Sequence, residues 1–254
     1  MARFAVGAQL WPQHTTIEQL TDAWRRAEEV GVDSLWTWDH FFPITGDPDG
    51  PNFEGWSLLA AKAVVTSRPR IGVLVTSAAY RNPNLLADMA RTIDHLSGGR
   101  VVLALGAGWA QRDYVEYGYG FPDARTRLDH LATTLETVRD RLHRLNPPSK
   151  GDLPIMVGGG GEQVTLRLVA AHADWWNAFG PAERYARKSG ILDERCREIG
   201  RDPADVVRTA LLQPHEIDDV GAFLDAGARH VIVSLAPPYD LEPVERLIAL
   251  AAAG

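Results

Sequence analysis

DLPIMVGGGGEQVTLRLVAAHADWW (residues 152–176) holds an apolar run, four consecutive glycines at Gly158–Gly161, a helix-patterned stretch and a second apolar run. Leu166, Val169, Ala170 and Ala173 fall on one face of a helix by the i, i+3, i+4, i+7 rule. The stretch therefore reads as strand, turn, helix, strand. Glycine loses more conformational freedom on folding than any other residue, so a run of it answers a steric need: a tight turn, or close approach of a ligand to the backbone.

The same alternation continues outward in both directions. Further strand candidates are Phe4–Trp11, Asp33–Trp38, Arg70–Ser77, Val101–Gly108, Val206–Leu212 and His230–Ala236, beside Pro154–Gly159 and Ala173–Phe179. Amphipathic stretches such as IEQLTDAWRRAEEVG and RLDHLATTLETVRDRL separate them. About eight strand–helix units in 254 residues fit a (β/α)8 TIM barrel better than the alternative, a doubly wound open sheet. Gly31 and Gly227, placed just before strands, read as helix C-caps. No Pro/Ser-rich linker divides the chain, so residues 1–254 read as a single domain.

A net charge of −7 argues against nucleic acid as a partner, because phosphate backbones are held mainly by Lys and Arg. The single cysteine, Cys196, fits a reducing, cytoplasmic setting and a structural role. The N-terminal apolar run is too short for a secretory signal, and no stretch approaches the roughly 18 apolar residues of a membrane span.

In a barrel of this kind the chemistry gathers where strands end. The positions to weigh are Gln9–Trp11, Asp39–His40, Thr76–Ala79, Gly106–Trp109, Gly158–Gly161, Asn177–Phe179, Gln213 and Ser234. The glycine run meets a helix N-terminus, whose free N–H groups and partial positive charge favour an anion. The functional reading is a phosphate cradle, and the bland one a tight turn. Glu162 weighs against the cradle unless it points to solvent. His40 is a natural proton carrier, and Asp39 beside it could bias its tautomer or bind a ligand hydroxyl. GAGW (Gly106–Trp109), with Ala107 and Gly108, could let a flat ligand lie against the fourth strand. No Walker lysine, dinucleotide fingerprint, G-x-S-x-G elbow or H-E-x-x-H appears, and His14, His40 and Glu54 are scattered, so no metal is expected. Among eight tryptophans, Trp11 and Trp109 fall at strand ends, Trp56 follows PNFEG, and Trp24 reads as core. Trp36 and Trp38 share strand parity and are expected to face the helix layer.

Taken together, GAQLW, AEEVGVDSLWTWDHFFP, PNFEGWSLLAA, the block YRNP…TIDHLSGGR…LGAGW and GGGGEQVTLRL resemble the luciferase-like monooxygenase superfamily, and within it the deazaflavin (coenzyme F420)-dependent oxidoreductases. The resemblance covers most of the chain. It implies the (β/α)8 barrel, a cofactor side chain met by Asp39, and His40 as an acid/base or cofactor-shaping residue. It places a non-proline cis peptide, a bulge behind the deazaflavin ring, near Leu74–Val75. It also makes Ser77 a hydrogen-bonding partner of the cofactor, and Gly159, Gly160 and Gly161 the donors of a phosphate loop. Ala107 and Gly108 join the expected cofactor site, and Trp11, Glu54 and Trp109 the expected substrate pocket. A homodimer and a small-molecule substrate are implied at family level.

Two departures stand out. Trp109 follows GAG where the sugar-phosphate dehydrogenases of the superfamily carry a catalytic glutamate, which speaks against that substrate. The segment RDRLHRLNPPSKGDLP is short where many relatives carry a cleft-covering insertion, which implies a more open site or one closed by a partner subunit. The competing readings are an FMN-dependent monooxygenase on the same fold, a non-catalytic F420-binding protein, and a phosphosugar isomerase without a redox cofactor.

Overall fold

Strands buried on both faces are written as continuous apolar runs, and each such run in the sequence is a strand in the computed structural model, which describes residues 4–253. The first half comprises β1 (Ala5–Leu10), α1 (Ile17–Val30), β2 (Ser34–Thr37), α2 (Gly55–Val65), β3 (Arg70–Val73), its short continuation β4 (Thr76–Ser77), α3 (Pro83–Ser97) and β5 (Val101–Gly106). The second comprises α4 (Gln111–Glu116), α5 (Ala124–Arg144), β6 (Ile155–Gly158), α6 (Thr165–His172), β7 (Trp175–Phe179), α7 (Ala182–Glu198), β8 (Val207–Leu212), α8 (Val220–Asp225), β9 (His230–Leu235) and α9 (Glu242–Ala253).

All strand pairs are parallel, in the order β3-β2-β1-β9-β8-β7-β6-β5-β4, and a further β3–β5 pairing closes the ring. With β3 and β4 forming one stave, this is an eight-staved (β/α)8 barrel. Local signals set the helix ends. Thr16 and Gln19 make a capping box at the start of α1, and Gly31 closes that helix in the left-handed region at φ 97°. Gly227 is likewise left-handed, at φ 100°.

Parity along the strands sorts two cores. Val101, Leu103 and Leu105 face the helix layer, while Val102 and Ala104 pack inside the barrel with Trp36, Leu74, Met156, Leu211 and Ile232. Trp36 is thus an interior residue, not a helix-layer one. Its ring occupies space that Gly72 leaves open on the neighbouring strand, where an added Cβ would collide with it. Its Nε1 donates to Ser34 Oγ at 2.7 Å. Trp38 faces the mouth of the barrel rather than the helices.

The connection from α5 to β6 runs along the N-terminal ends of the strands. Pro148, Ser149, Asp152 and Leu153 border a cleft of about 650 Å³ there with Ile155, Trp175 and Val207. This is the end opposite the mouth.

Lys62, on α2, is wholly buried with its Nζ 5.5 Å from the Trp24 ring centroid and without a hydrogen-bond partner. Burial lowers its amine from 10.5 to about 7. Between those values the unfolded chain binds a proton that the folded chain does not, so stability is expected to rise with pH across this window. Lys62→Met should raise neutral-pH stability by about 1–3 kcal/mol and flatten that rise. Urea melts at several pH values check this, and a flat wild-type profile would contradict it.

Among the described residues, no helix is long and apolar enough to cross a membrane. Cys196 is buried in α7.

Candidate active site

The strand parity that places Gln9, Asn177 and Ser234 inside the barrel also places them at its mouth, where they line a cavity of about 580 Å³. Gln9 Nε2 donates to Leu74 O at 3.0 Å, Ser234 Oγ donates to Gln9 Oε1 at 2.9 Å, and Trp11 Nε1 donates to Ser234 Oγ at 2.7 Å. This chain of bonds ties β1 and β9 to the backbone at Leu74. The Leu74–Val75 peptide is cis. Val75 projects towards β5 and β6, and ideal Cβ atoms at Gly106 and Gly158 would lie 2.6 and 2.5 Å from its methyl carbons. Those two glycines are therefore room for Val75.

The glycine run divides by cause. Gly158 makes way for Val75, and Gly159 stands in the left-handed half of φ space at 122°. Gly160 lies under the Lys188 ammonium, whose Nζ would be 2.5 Å from an added Cβ. Gly161 faces Thr165. Only Gly158 and Gly159 reach the cavity wall, with Thr165 beside them. α6 begins four residues after Gly161 and has no side-chain cap. The backbone N–H groups from Gly160 to Val164 donate to no partner among the described residues, apart from any solvent. Glu162 is paired with Arg187, which offsets part of its charge, although its carboxylate also acts on the Lys188 ammonium. A loop of free N–H groups, a bare backbone and an ammonium fit a phosphate.

Asp39 and His40 both line the cavity, but their partners differ. The buried Asp39 carboxylate accepts two bonds from Arg81, at 2.7 and 2.9 Å, and one from Ser77 N at 3.2 Å. Burial raises its carboxyl, and the Arg81 guanidinium pulls it back. His40 lines the cavity; its Nδ1 lies 2.7 Å from Asp113 Oδ2, and Nε2 has no partner among the described residues. Ser77 also reaches the cavity, its Oγ 3.0 Å from the Tyr114 hydroxyl. Ala107 and Gly108 form the adjacent wall, Gly108 in the left-handed region at φ 76°.

Aromatic rings surround His40. Trp38 is 6.3 Å away and Trp109 5.2 Å, both edge-on, and Trp11 packs against Trp38 at 5.2 Å. Trp109 is 64% exposed, so this wall is open to solvent and to ligand. Above it, Gln13 holds Thr45 O at 3.0 Å and accepts from Ile44 N at 2.8 Å, fixing both residues over the mouth.

Glu54 is not among the cavity walls. It caps α2 by accepting from Trp56 N and Ser57 N at 3.0 and 2.6 Å, and pairs with Arg81 at 2.6 Å. Trp56 is likewise buried behind the wall, its Nε1 donating to Thr76 Oγ1. Sequence reasoning passed over Arg81, Tyr80, Asp113, Tyr114 and Lys188, which hold or flank the site. Among the described residues, no group of His, Cys, Asp and Glu is arranged to hold a metal ion.

The chain is thus a parallel (β/α)8 barrel whose mouth brings together an interrupted third stave, a glycine loop and a tryptophan-flanked histidine. Residues 1–239 match the family model described as luciferase-like monooxygenase, and the chain belongs to that family. It is 35% identical over 130 residues to the F420-dependent glucose-6-phosphate dehydrogenase of Amycolatopsis mediterranei, a match spanning 50% of this chain and 38% of that protein. The chain thus aligns with well under half the length of that relative. The fold resembles that of an F420-dependent secondary alcohol dehydrogenase in complex with an F420-acetone adduct, with a TM-score of 0.84, 18% identity and 96% of each chain covered. It also resembles the FMN-bound oxygenating constituent of 3,6-diketocamphane monooxygenase from Pseudomonas putida, with a TM-score of 0.73, 15% identity and 97% and 95% covered.

Proposed function

We propose that this protein is an F420-dependent oxidoreductase that moves hydride between the deazaflavin and a small uncharged alcohol or carbonyl substrate. The observation that carries the reading is the convergence, at one mouth, of Val75 seated against Gly106 and Gly158 with the free N–H groups from Gly160 onward beside Lys188. Val75, Ala107, Gly108 and Gly158 would hold the flat ring system, and Ser77 would offer it a hydroxyl. Gly160 and Gly161, with Lys188, would hold the phosphate; Gly159, expected from the sequence as a third donor, spends its N–H on Asn177 O at 3.0 Å. Asp39 meets the cofactor's side chain as a carboxylate already steadied by Arg81.

The bound deazaflavin supplies hydride exchange at ring carbon five, and it lacks the nitrogen with which ordinary flavins activate oxygen. The protein supplies the proton. His40 presents Nε2 to the cavity, where it takes the proton of an alcohol or returns one to a carbonyl. Trp11, Trp38 and Trp109 offer an apolar surface beside it. Among the described residues no Lys or Arg lines the cavity beside His40, and the Lys188 ammonium at the glycine loop is assigned to the cofactor's phosphate. That favours secondary alcohols and ketones over sugar phosphates. A single barrel domain, a homodimer and residence in the cytoplasm complete the proposal.

Two experiments test it. Bleaching of oxidised deazaflavin is expected with small secondary alcohols and absent with glucose 6-phosphate; the reverse preference would reject the substrate class. Lys188→Ala should weaken binding of the complete cofactor by about 1.5 kcal/mol, roughly tenfold, while leaving unchanged the binding of the deazaflavin core stripped of its phosphate-bearing side chain. Equal weakening of both would remove Lys188 from the phosphate site.

A further inference from the structure

Asp113 is an acid in the first turn of α4, only 1% exposed, and its carboxylate is fully committed. Oδ1 accepts the backbone N–H of Phe41 at 3.0 Å. Oδ2 accepts the Tyr80 hydroxyl at 3.0 Å and lies 2.7 Å from His40 Nδ1. Burial, and then the Asp113 carboxylate itself, push the Tyr80 phenol far up, so it stays a donor. A backbone N–H donates in every protonation state, which fixes Oδ1 as an acceptor. Both oxygens thus face donors, and the His40 nitrogen facing Oδ2 is one that carries hydrogen. The Phe41 ring, stacked on Tyr117 at 4.0 Å and packed on Tyr80 at 4.7 Å, holds this arrangement in place.

We propose that Asp113 is the positioning residue of the site: it fixes His40 as the tautomer protonated on Nδ1, so that Nε2 meets the cavity as a proton acceptor. The use made of Nε2 rests on the redox reading above, whereas the tautomer itself does not. The same carboxylate that orients the ring would also stabilise the imidazolium formed when Nε2 takes a proton, without being protonated itself. It acts through His40 and lies behind it, so it touches neither substrate nor cofactor.

The substitution Asp113→Asn keeps the shape and reverses one polarity. The Phe41 N–H holds the amide oxygen at the Oδ1 position, so the amide NH₂ must face His40 Nδ1 and drive the ring proton to Nε2. The experiment is side-chain 15N–1H correlation NMR of the protein without added cofactor, at about pH 8 where a free imidazole is neutral. The His40 signals are assigned by their loss in His40→Ala. The expected wild-type pattern is a protonated Nδ1 and a bare Nε2, exchanged in Asp113→Asn. In turnover with a responsive alcohol, Asp113→Asn should lower kcat by about 10²–10⁴-fold and leave KM nearly unchanged. A wild-type His40 protonated on Nε2 overturns the proposal, and so does an Asp113→Asn protein that keeps the wild-type pattern. If Asp113→Asn does not fold, the wild-type spectrum still decides. Failure of the deazaflavin reading would show in turnover alone and leave the tautomer result standing.

Discussion

His40→Ala is expected to lower turnover by about 10²–10⁴-fold, the usual worth of a positioned acid or base, while deazaflavin affinity stays near that of the wild type. The separation follows from where the ring's two nitrogens go. Nδ1 is spent on Asp113, and Nε2 has no protein partner, so removing the ring deletes a proton acceptor and breaks no contact that shapes the cofactor recess. That recess is built by Gln9, Leu74, Val75, Gly106 and Gly158, on other staves. Binding by tryptophan fluorescence and turnover by deazaflavin absorbance give the two numbers. Retained turnover would move the proton step elsewhere, and lost affinity would make His40 a cofactor-shaping residue instead.

Gly108→Ala is expected to have the largest effect on the folded state. Gly108 has φ 76°, and an added Cβ would overlap the Tyr114 hydroxyl and come within 2.8 Å of Ser77 Oγ. Those two groups hydrogen-bond each other at 3.0 Å across the space that Gly108 leaves. Tyr114 is fully buried and packs edge-on against Tyr80 and Phe121, so it has little freedom to retreat. Left-handed strain adds about 1–2 kcal/mol and overpacking about 1–3 kcal/mol. For a chain of this size each kcal/mol is worth roughly 2–4 °C in Tm. Calorimetry on the variant checks the sum. A Tm unchanged from wild type would mean that the β5–α4 turn yields more readily than its contacts indicate.

Strand positions were legible because a parallel barrel buries both faces of each strand, and the apolar runs announce themselves without long-range information. The sequence also led to the mouth: Gln9, Asp39, His40, Ser77, Ala107, Gly108, Gly159, Asn177 and Ser234 are strand-end residues, and all line the cavity. What escaped depended on partners far along the chain. Trp36 is interior because Gly72, on another strand, vacates the space, and nothing near Trp36 announces that. Asp113, in the charged stretch QRDYVE, reads locally as a solvated helix start, yet Phe41 and Tyr80 enclose it from 72 and 33 residues away. Glu54, expected in the substrate pocket from the family resemblance, heads α2 and caps it. An acid directly before a helix was the signal for that role. The four glycines were legible as a group but not singly, since Gly158 answers to Val75 and Gly160 to Lys188.

This mouth is expected to bind a deazaflavin in preference to a flavin. The most direct measurement is a side-by-side titration of the purified protein with coenzyme F420 and with FMN, following quenching of the tryptophans, of which Trp11, Trp38 and Trp109 line the cavity. Saturable quenching by the deazaflavin is expected at roughly micromolar concentration or below, with FMN at least about tenfold weaker, a gap of about 1.4 kcal/mol. Tighter binding of FMN would contradict it and place the protein with the flavin-dependent monooxygenases of the family, and binding of neither would undo the phosphate-cradle reading of Gly158–Gly161.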